Sequence, residues 1–207
     1  FTGSVPTLCL TSDVPFNSDK RNMLSGFDQN RLYSAITKES ILATNAKDLP
    51  FLMRRAFRVA VSGRPGAVLM RIPMDVYSQE TEVTDLYPDP CMARWPYQRP
   101  VADLDEVKKA LELLAGAKRP VIVCGQGALA SDAGNEAAEL AEALNIPLGC
   151  TMTGKGTISE IHPLSIRLIG ARGGTSHSNR FLQTADLVFF IGSNTDSAGT
   201  DGWKLPP

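Results

Sequence analysis

Residues 62–76 constrain the chain more than any other stretch. They read Ser-Gly-Arg-Pro-Gly-Ala-Val-Leu-Met-Arg-Ile-Pro-Met-Asp-Val. Upstream, Asp48 stands where an N-cap belongs, and Leu49, Leu52, Met53, Ala56, Phe57 and Ala60 repeat at three-and-four spacing. That pattern predicts one apolar helical stripe, ended by Gly63. Pro65 and Gly66 then turn the backbone, and residues 67–72 form a β-rich run that Pro73 stops. A helix, a tight turn and a buried strand in so few positions predict an α/β layer.

The rest of the chain repeats this alternation. Residues 6–10 read as a buried strand and residues 11–20 as a polar loop rich in turn residues. Past Val76 no clean period survives. Residues 77–100 are acidic and then Pro-rich, with aromatics at Tyr87, Trp95 and Tyr97, which predicts a linker pinned to a surface. A second domain opens at Asp103, which can cap a helix and share a capping box with Glu106, while Leu104, Val107, Leu111 and Leu114 line the inward face before Gly116. Residues 120–124 form a strand apolar on both faces. Ala137, Leu140, Ala141 and Leu144 mark a helix over residues 136–144, and residues 146–150 the next strand. Ser178 can cap a short helix through Phe181 and Leu182, before a strand at residues 187–191. Strands alternating with helices at this spacing predict a parallel, doubly wound sheet.

Bulk properties exclude several partners. A formal charge of −1 over 207 residues leaves no basic field for nucleic acid or anionic lipid. No apolar run reaches membrane-spanning length and no leader pattern opens the chain, so a cytoplasmic protein is expected. Cys9, Cys91, Cys124 and Cys150 lack the paired spacing of a zinc or redox motif and read as reduced core thiols. Phe1 is not an initiator Met and residues 203–207 follow a strand without a closing helix, so the chain reads as a fragment.

Four glycine-containing loops could carry chemistry. Residues 125–130 (Gly-Gln-Gly-Ala-Leu-Ala) fit G-x-G-x-x-G/A between a strand and a helix, either a dinucleotide loop or a tight structural turn. The ribose-binding acid expected about 20 residues on is missing, which favours the turn. Residues 149–155 have P-loop spacing, but Gly156 replaces the hydroxyl residue that should hold Mg²⁺. Residues 170–175 (Gly-Ala-Arg-Gly-Gly-Thr) could nest an anion beside Arg172, or stand empty. Gly192 and Asn194 follow the last strand at its carboxyl end, where open α/β sheets place ligands. His162 and His177 lie outside any hydrolase or metal motif and read as loop hydrogen-bonders. The arginines Arg54, Arg55 and Arg58 read as a solvated helix face.

The stretch at residues 62–76 resembles the Gly-Arg-Pro-Gly-Pro-Val…Ile-Pro-x-Asp-Val signature closing the pyrimidine-binding domain of thiamine diphosphate enzymes of the acetolactate synthase-like family, with Ala67 in place of the second Pro. Residues 153–164 resemble the family's Gly-Lys-Gly…Glu…His-Pro-Leu loop, and Asp28, Gln29, Thr37 and Lys38 its Phe-Gln-Glu-x-Asp-Gln…Thr-Lys block, where Leu24, Ser25 and Gly26 replace Phe-Gln-Glu. The resemblance implies a partial pyrimidine-binding domain at residues 1–78, a linker at 79–100 and a Rossmann-like central domain at 101–207, incomplete at its C-terminus. It implies a protein that uses thiamine diphosphate and Mg²⁺ on 2-oxo acids, decarboxylating or ligating them as a homodimer or homotetramer. Ser25, Gly26, Gln29 and Lys38 then fall near the substrate mouth, and the replaced triplet points to a donor or acceptor other than that of acetolactate synthesis. Gly170, Arg172, Gly173, Gly174, Thr175, Gly192 and Asn194 match loops that contact FAD in flavin-binding relatives. The activating Glu and the Gly-Asp-Gly of the Mg²⁺ site are not among these residues, so the fragment itself is expected to be inactive and to carry no cofactor. Two other readings remain: a stand-alone module for FAD, NAD or ADP, and a structural oligomerisation domain.

Overall fold

The structure is a computed structural model that describes residues 3–16, 18, 22–82, 86–88 and 90–206. Parts of the expected loop at 11–20 and linker at 77–100, and the two chain termini, lie outside the described residues. The chain divides into two units, Phe1–Gln98 and Arg99–Pro207.

In the first unit the elements run β1 (Thr7–Asp13), α1 (Gln29–Tyr33), β2 (Glu39–Leu42), α2 (Leu49–Val61), β3 (Ala67–Pro73) and α3 (Met74–Tyr77). The sheet is parallel in the order β1-β3-β2, with Thr7 opposite Ala67 and Glu39 opposite Val68. Val68, Met70 and Ile72 alternate onto one face and meet Ile41 together with Ala56 and Ala60 of α2. Small residues at the centre of the helical stripe let the backbone approach the sheet, which places Phe57 at the edge, 47% exposed, rather than in the core. Strand β1 outruns its expected end because Thr11, Ser12 and Asp13 find partners in Arg71, Ile72 and Pro73. Strand β2 has only four residues and gave no periodic signal. The N-cap also differs: a 3-10 turn at Ala46–Asp48 precedes α2, so Asn45 accepts from the Lys47 N–H and Asp48 caps nothing with its side chain. In the Pro-rich segment Met92 is buried and Trp95 and Tyr97 are half-buried, while Tyr87 is exposed. Its backbone is nonetheless held there, because Arg54 donates to the Tyr87 carbonyl at 3.3 Å.

In the second unit the order is α4 (Leu104–Gly116), β4 (Pro120–Cys124), α5 (Gln126–Ala130), α6 (Gly134–Leu144), β5 (Leu148–Cys150), β6 (Ser165–Leu168), α7 (Ser176–Thr184) and β7 (Leu187–Ile191). Four parallel strands line up as β6-β5-β4-β7, so the fold is α/β and doubly wound. Along β4, Ile122 and Cys124 face a core with Leu148, Cys150, Ala137 and Ala141. Val121 and Val123 face the opposite core with Ile166, Ile169, Leu182 and Leu205. Helix α4 departs from expectation. Only Leu114, in its last turn, enters the core, while Leu104 is 71% exposed and Val107 and Leu111 are also uncovered. Asp103 caps α4 as expected, but Glu106 pairs with Lys109 at 2.7 Å. On α6, Ala137 and Ala141 face inward but Leu144 is exposed. Thr175, not Ser178, caps α7; Ser178 completes the capping box from the third helical position. No helix of the described residues is long and apolar enough to cross a membrane.

Candidate functional site

From β4 the chain winds through β5 to β6 and then crosses back to β7, which sets the switch point of the second unit between β4 and β7. Residues 125–130 stand at that point. The Gly125 N–H donates to the Ile191 carbonyl at 2.9 Å and the Gly127 N–H to the Gly192 carbonyl at 2.8 Å. A Cβ on Gly125 would lie 2.6 Å from the Gly192 oxygen, and one on Gly192, whose φ is +61°, only 2.3 Å from the Ala128 nitrogen. Gly154 joins the junction from the loop after β5, where a Cβ would stand 2.4 Å from the Cys124 oxygen. The glycines therefore serve a close backbone approach, as the dinucleotide motif requires, but what approaches is the loop after β7. The space a pyrophosphate needs is filled, so this crevice is the tight structural turn. The P-loop-like residues are also occupied: Thr151 caps a short 3-10 turn at Met152–Gly154, and Lys155 pairs with Glu160 at 3.2 Å.

The loop ahead of α7 is built differently. Asn179 accepts from the Gly170 N–H at 2.8 Å and donates back to the Gly170 carbonyl at 3.3 Å. Gly170 and Gly173 take φ of +89° and +100°, and the Ala171 N–H reaches the Ala198 carbonyl at 2.8 Å. The result is an open polar groove of about 680 Å³ whose lining includes Gly170, Gly174, Thr175, His177, Arg180 and Asp201. His177 lies edge-on to Phe181 with ring centres 5.3 Å apart. Of the residues expected to touch a nucleotide, Gly170, Gly174 and Thr175 line this groove. Arg172 and Gly173 are exposed and outside the lining, Gly192 is locked in the junction, and Asn194 is exposed on the loop after β7. Arg180 and Asp201, which supply the groove's opposite charges, were missed because neither stands in a recognisable motif.

The residues expected at the substrate mouth lie in the first unit and do not converge. Gln29 is 3% exposed, accepts the Thr11 hydroxyl at 2.7 Å and donates to the Ser12 carbonyl at 2.7 Å, so it ties α1 to β1. Lys38 donates to the carbonyls of Val59 and, at 2.7 Å, Ser62, placing a cation on the carboxyl end of α2. Burial lowers its pKa. Ser25 is exposed, and the Gly26 N–H closes a turn onto the Met23 carbonyl at 3.0 Å. Sequence reading passed over a buried pair at the carboxyl ends of β1 and β3, where Arg71 lies 3.5 Å from the Asp13 carboxylate. An arginine inside an otherwise apolar strand was the available signal. Cys124 and Cys150 are buried free thiols as expected, whereas Cys91 is exposed and Cys9 half-buried. Among the described residues no cluster of three His, Cys, Asp or Glu side chains could hold a metal ion.

Comparison with known proteins gives the fold its lineage. Residues 107–207 match the model of the thiamine pyrophosphate enzyme central domain. The chain is 36% identical over 191 residues to a probable acetolactate synthase large subunit of Methanococcus aeolicus, covering 91% of this chain and 32% of that protein. It is 34% identical over 193 residues to the acetolactate synthase isozyme 1 large subunit of Escherichia coli K12, covering 93% and 33%. To glyoxylate carboligase of Escherichia coli O157:H7 it is 32% identical over 191 residues, covering 92% and 31%. The chain thus spans about a third of the length of the curated relatives it matches. Residues 107–207 thus form a thiamine pyrophosphate enzyme central domain, and through both units the chain is similar to acetolactate synthases and to glyoxylate carboligase.

Proposed function

We propose that the chain is part of a thiamine diphosphate- and Mg²⁺-dependent enzyme that decarboxylates or ligates 2-oxo acids, working in the cytoplasm as a homodimer or homotetramer. One observation carries this reading: a single alignment covers more than nine-tenths of the chain against both acetolactate synthases and glyoxylate carboligase. Residues 1–78 are then part of the pyrimidine-binding domain and residues 101–207 the central domain. When bound, the cofactor supplies the electron sink for the carbanion that carbon dioxide leaves behind. The residues present do not fit its Mg²⁺ and diphosphate site, since the described part offers no metal-ligating cluster and the sequence no Gly-Asp-Gly. No chemical step falls to them. Their share is scaffold: Gln29 ties α1 to β1, Lys38 holds the carboxyl end of α2, and the glycine junction locks the strand ends of the second unit.

The groove before α7 supports a second reading, a nucleotide site. Its polar lining, with Arg180 available to a diphosphate and Asp201 to hydroxyls, suits FAD or its ADP portion. The test uses the whole protein that contains this chain. Turnover of pyruvate or glyoxylate that requires both added thiamine diphosphate and Mg²⁺ is the expected result. Absence of any such turnover, together with thermal stabilisation of the chain by FAD, NAD or ADP alone, would sink the enzyme reading in favour of a nucleotide module. If flavin is used, FAD at about a hundredfold its Kd stabilises by about 2.7 kcal/mol, and Arg180→Ala removes most of that gain.

A further inference from the structure

We propose that Cys124 and Cys150 form an oxidisable thiol pair that closes to a disulfide across β4 and β5. They are the last residues of those strands and stand opposite each other in the parallel ladder. Register partners on neighbouring strands send their side chains to the same face, and both thiols belong to one core cluster. Neighbouring strands lie about 4.8 Å apart, inside the Cα separation of about 4.4–6.8 Å that a disulfide spans. Because both residues end their strands, drawing them together bends the loops that follow rather than breaking the ladder.

Access to the two is unequal. Cys124 is fully buried, whereas Cys150 lines a cavity of about 10 Å³, together with Lys155, Ile158, Glu160 and Arg167. That is room for roughly one water, so hydrogen peroxide reaches Cys150 before Cys124, and only as the cavity widens. Burial raises both pKa values, Cys124 to about 12 with the neighbouring Cys150 adding to the shift, so both sulfurs are protonated at neutral pH and their oxidation is slow. The Cys150 sulfur then takes one peroxide oxygen, becoming a sulfenic acid and releasing water. The Cys124 sulfur displaces that hydroxyl, forming the S–S bond and a second water. Two thiols are oxidised and one hydroperoxide is reduced. The Cys124 carbonyl accepts from the Thr151 N–H at 2.9 Å and lies against Gly154, so closing the pair strains the glycine junction directly.

The test treats the chain carrying Cys9→Ser and Cys91→Ser with hydrogen peroxide, then alkylates under denaturing conditions and maps the peptides. The expected result is loss of both alkylatable thiols, a linked Cys124–Cys150 peptide, and recovery of both thiols with a dithiol reductant. Cys124→Ala in the same background gives oxidised Cys150 with no linked peptide. Should that variant fail to fold, Cys150→Ala serves, and there Cys124 resists the peroxide. Both thiols still alkylatable after peroxide, or Cys150 oxidised without any linked peptide in the parent background, would overturn the proposal.

Discussion

Two glycine-rich loops of the second unit follow a strand and precede a helix, yet one is closed and the other open. At residues 125–130 the glycines are pressed against Gly192, and the Gly127 N–H in the first turn of α5 is spent on the Gly192 carbonyl. At residues 170–175 the glycines hold positive φ and fold back on Asn179, leaving a groove beside α7. The contrast teaches that a glycine pattern reports a close approach and not the identity of what approaches. The nearer match to a nucleotide fingerprint is the loop with no room for a nucleotide.

The sharpest way to break the comparison is Gly192→Ala. Its Cβ would collide with the Ala128 nitrogen at a φ that L-residues rarely adopt, and the cost should be about 3 kcal/mol, read as a lower urea midpoint at unchanged slope. An unchanged midpoint would mean the crevice can open. Next is Asn179→Ala, which strips the buried Gly170 N–H of its acceptor. A loss of about 2 kcal/mol is expected, with any nucleotide affinity of the groove falling alongside it. A smaller effect of opposite sign comes from Gly116→Ala in the last turn of α4, where an added Cβ meets nothing within 4 Å. There the same substitution should stabilise by about 0.5 kcal/mol in thermal unfolding, showing that only glycines with neighbours are constrained.

The gentlest test works at the other end of the β4–β7 pair. Asp186 accepts from the backbone N–H groups of Arg119 and Lys118, both at 2.8 Å, and these bonds hold its pKa below the usual carboxylate value. A depressed folded pKa adds stability above the ordinary carboxylate range and loses it as pH falls through the lowered value. Wild type should therefore exceed Asp186→Asn in stability at neutral pH, with the gap closing in acid. A gap that persists unchanged at low pH would refute the charge-assisted role.

Much of the architecture was legible because alternation of apolar runs and stop signals is a local property. The strands at residues 67–72, 120–124 and 187–191 and the capped start of α4 could be read from neighbours in sequence. What escaped depends on distant residues. Strand β2 exists because β3 offers it an edge, and β6 follows a register shift beside Gly149. The outward turn of Leu104 and Phe57 depends on how far each helix overlaps its sheet, which periodicity does not state. The site was less legible for the same reason. Arg180 and Asp201 meet only after the loop beyond β7 has returned, and the roles of Gln29 and Lys38 as braces rest on backbone carbonyls that carry no side-chain signature.

The two sheets also differ in when their central strand is made. In β6-β5-β4-β7 a central strand, β4, emerges first, and every later strand has a template waiting. In β1-β3-β2 the centre comes last of the three, so the pairing of Thr7 with Ala67 waits for the whole span between them. Until then Leu8 and Ile41 stay uncovered, and the loop closures that pair them are long. Synthesis therefore leaves the first unit dependent on a late residue span for its assembly and lets the second accrete as it appears. Exposed apolar surface awaiting its partner strand is therefore concentrated in residues 7–66 rather than in the wider, later sheet.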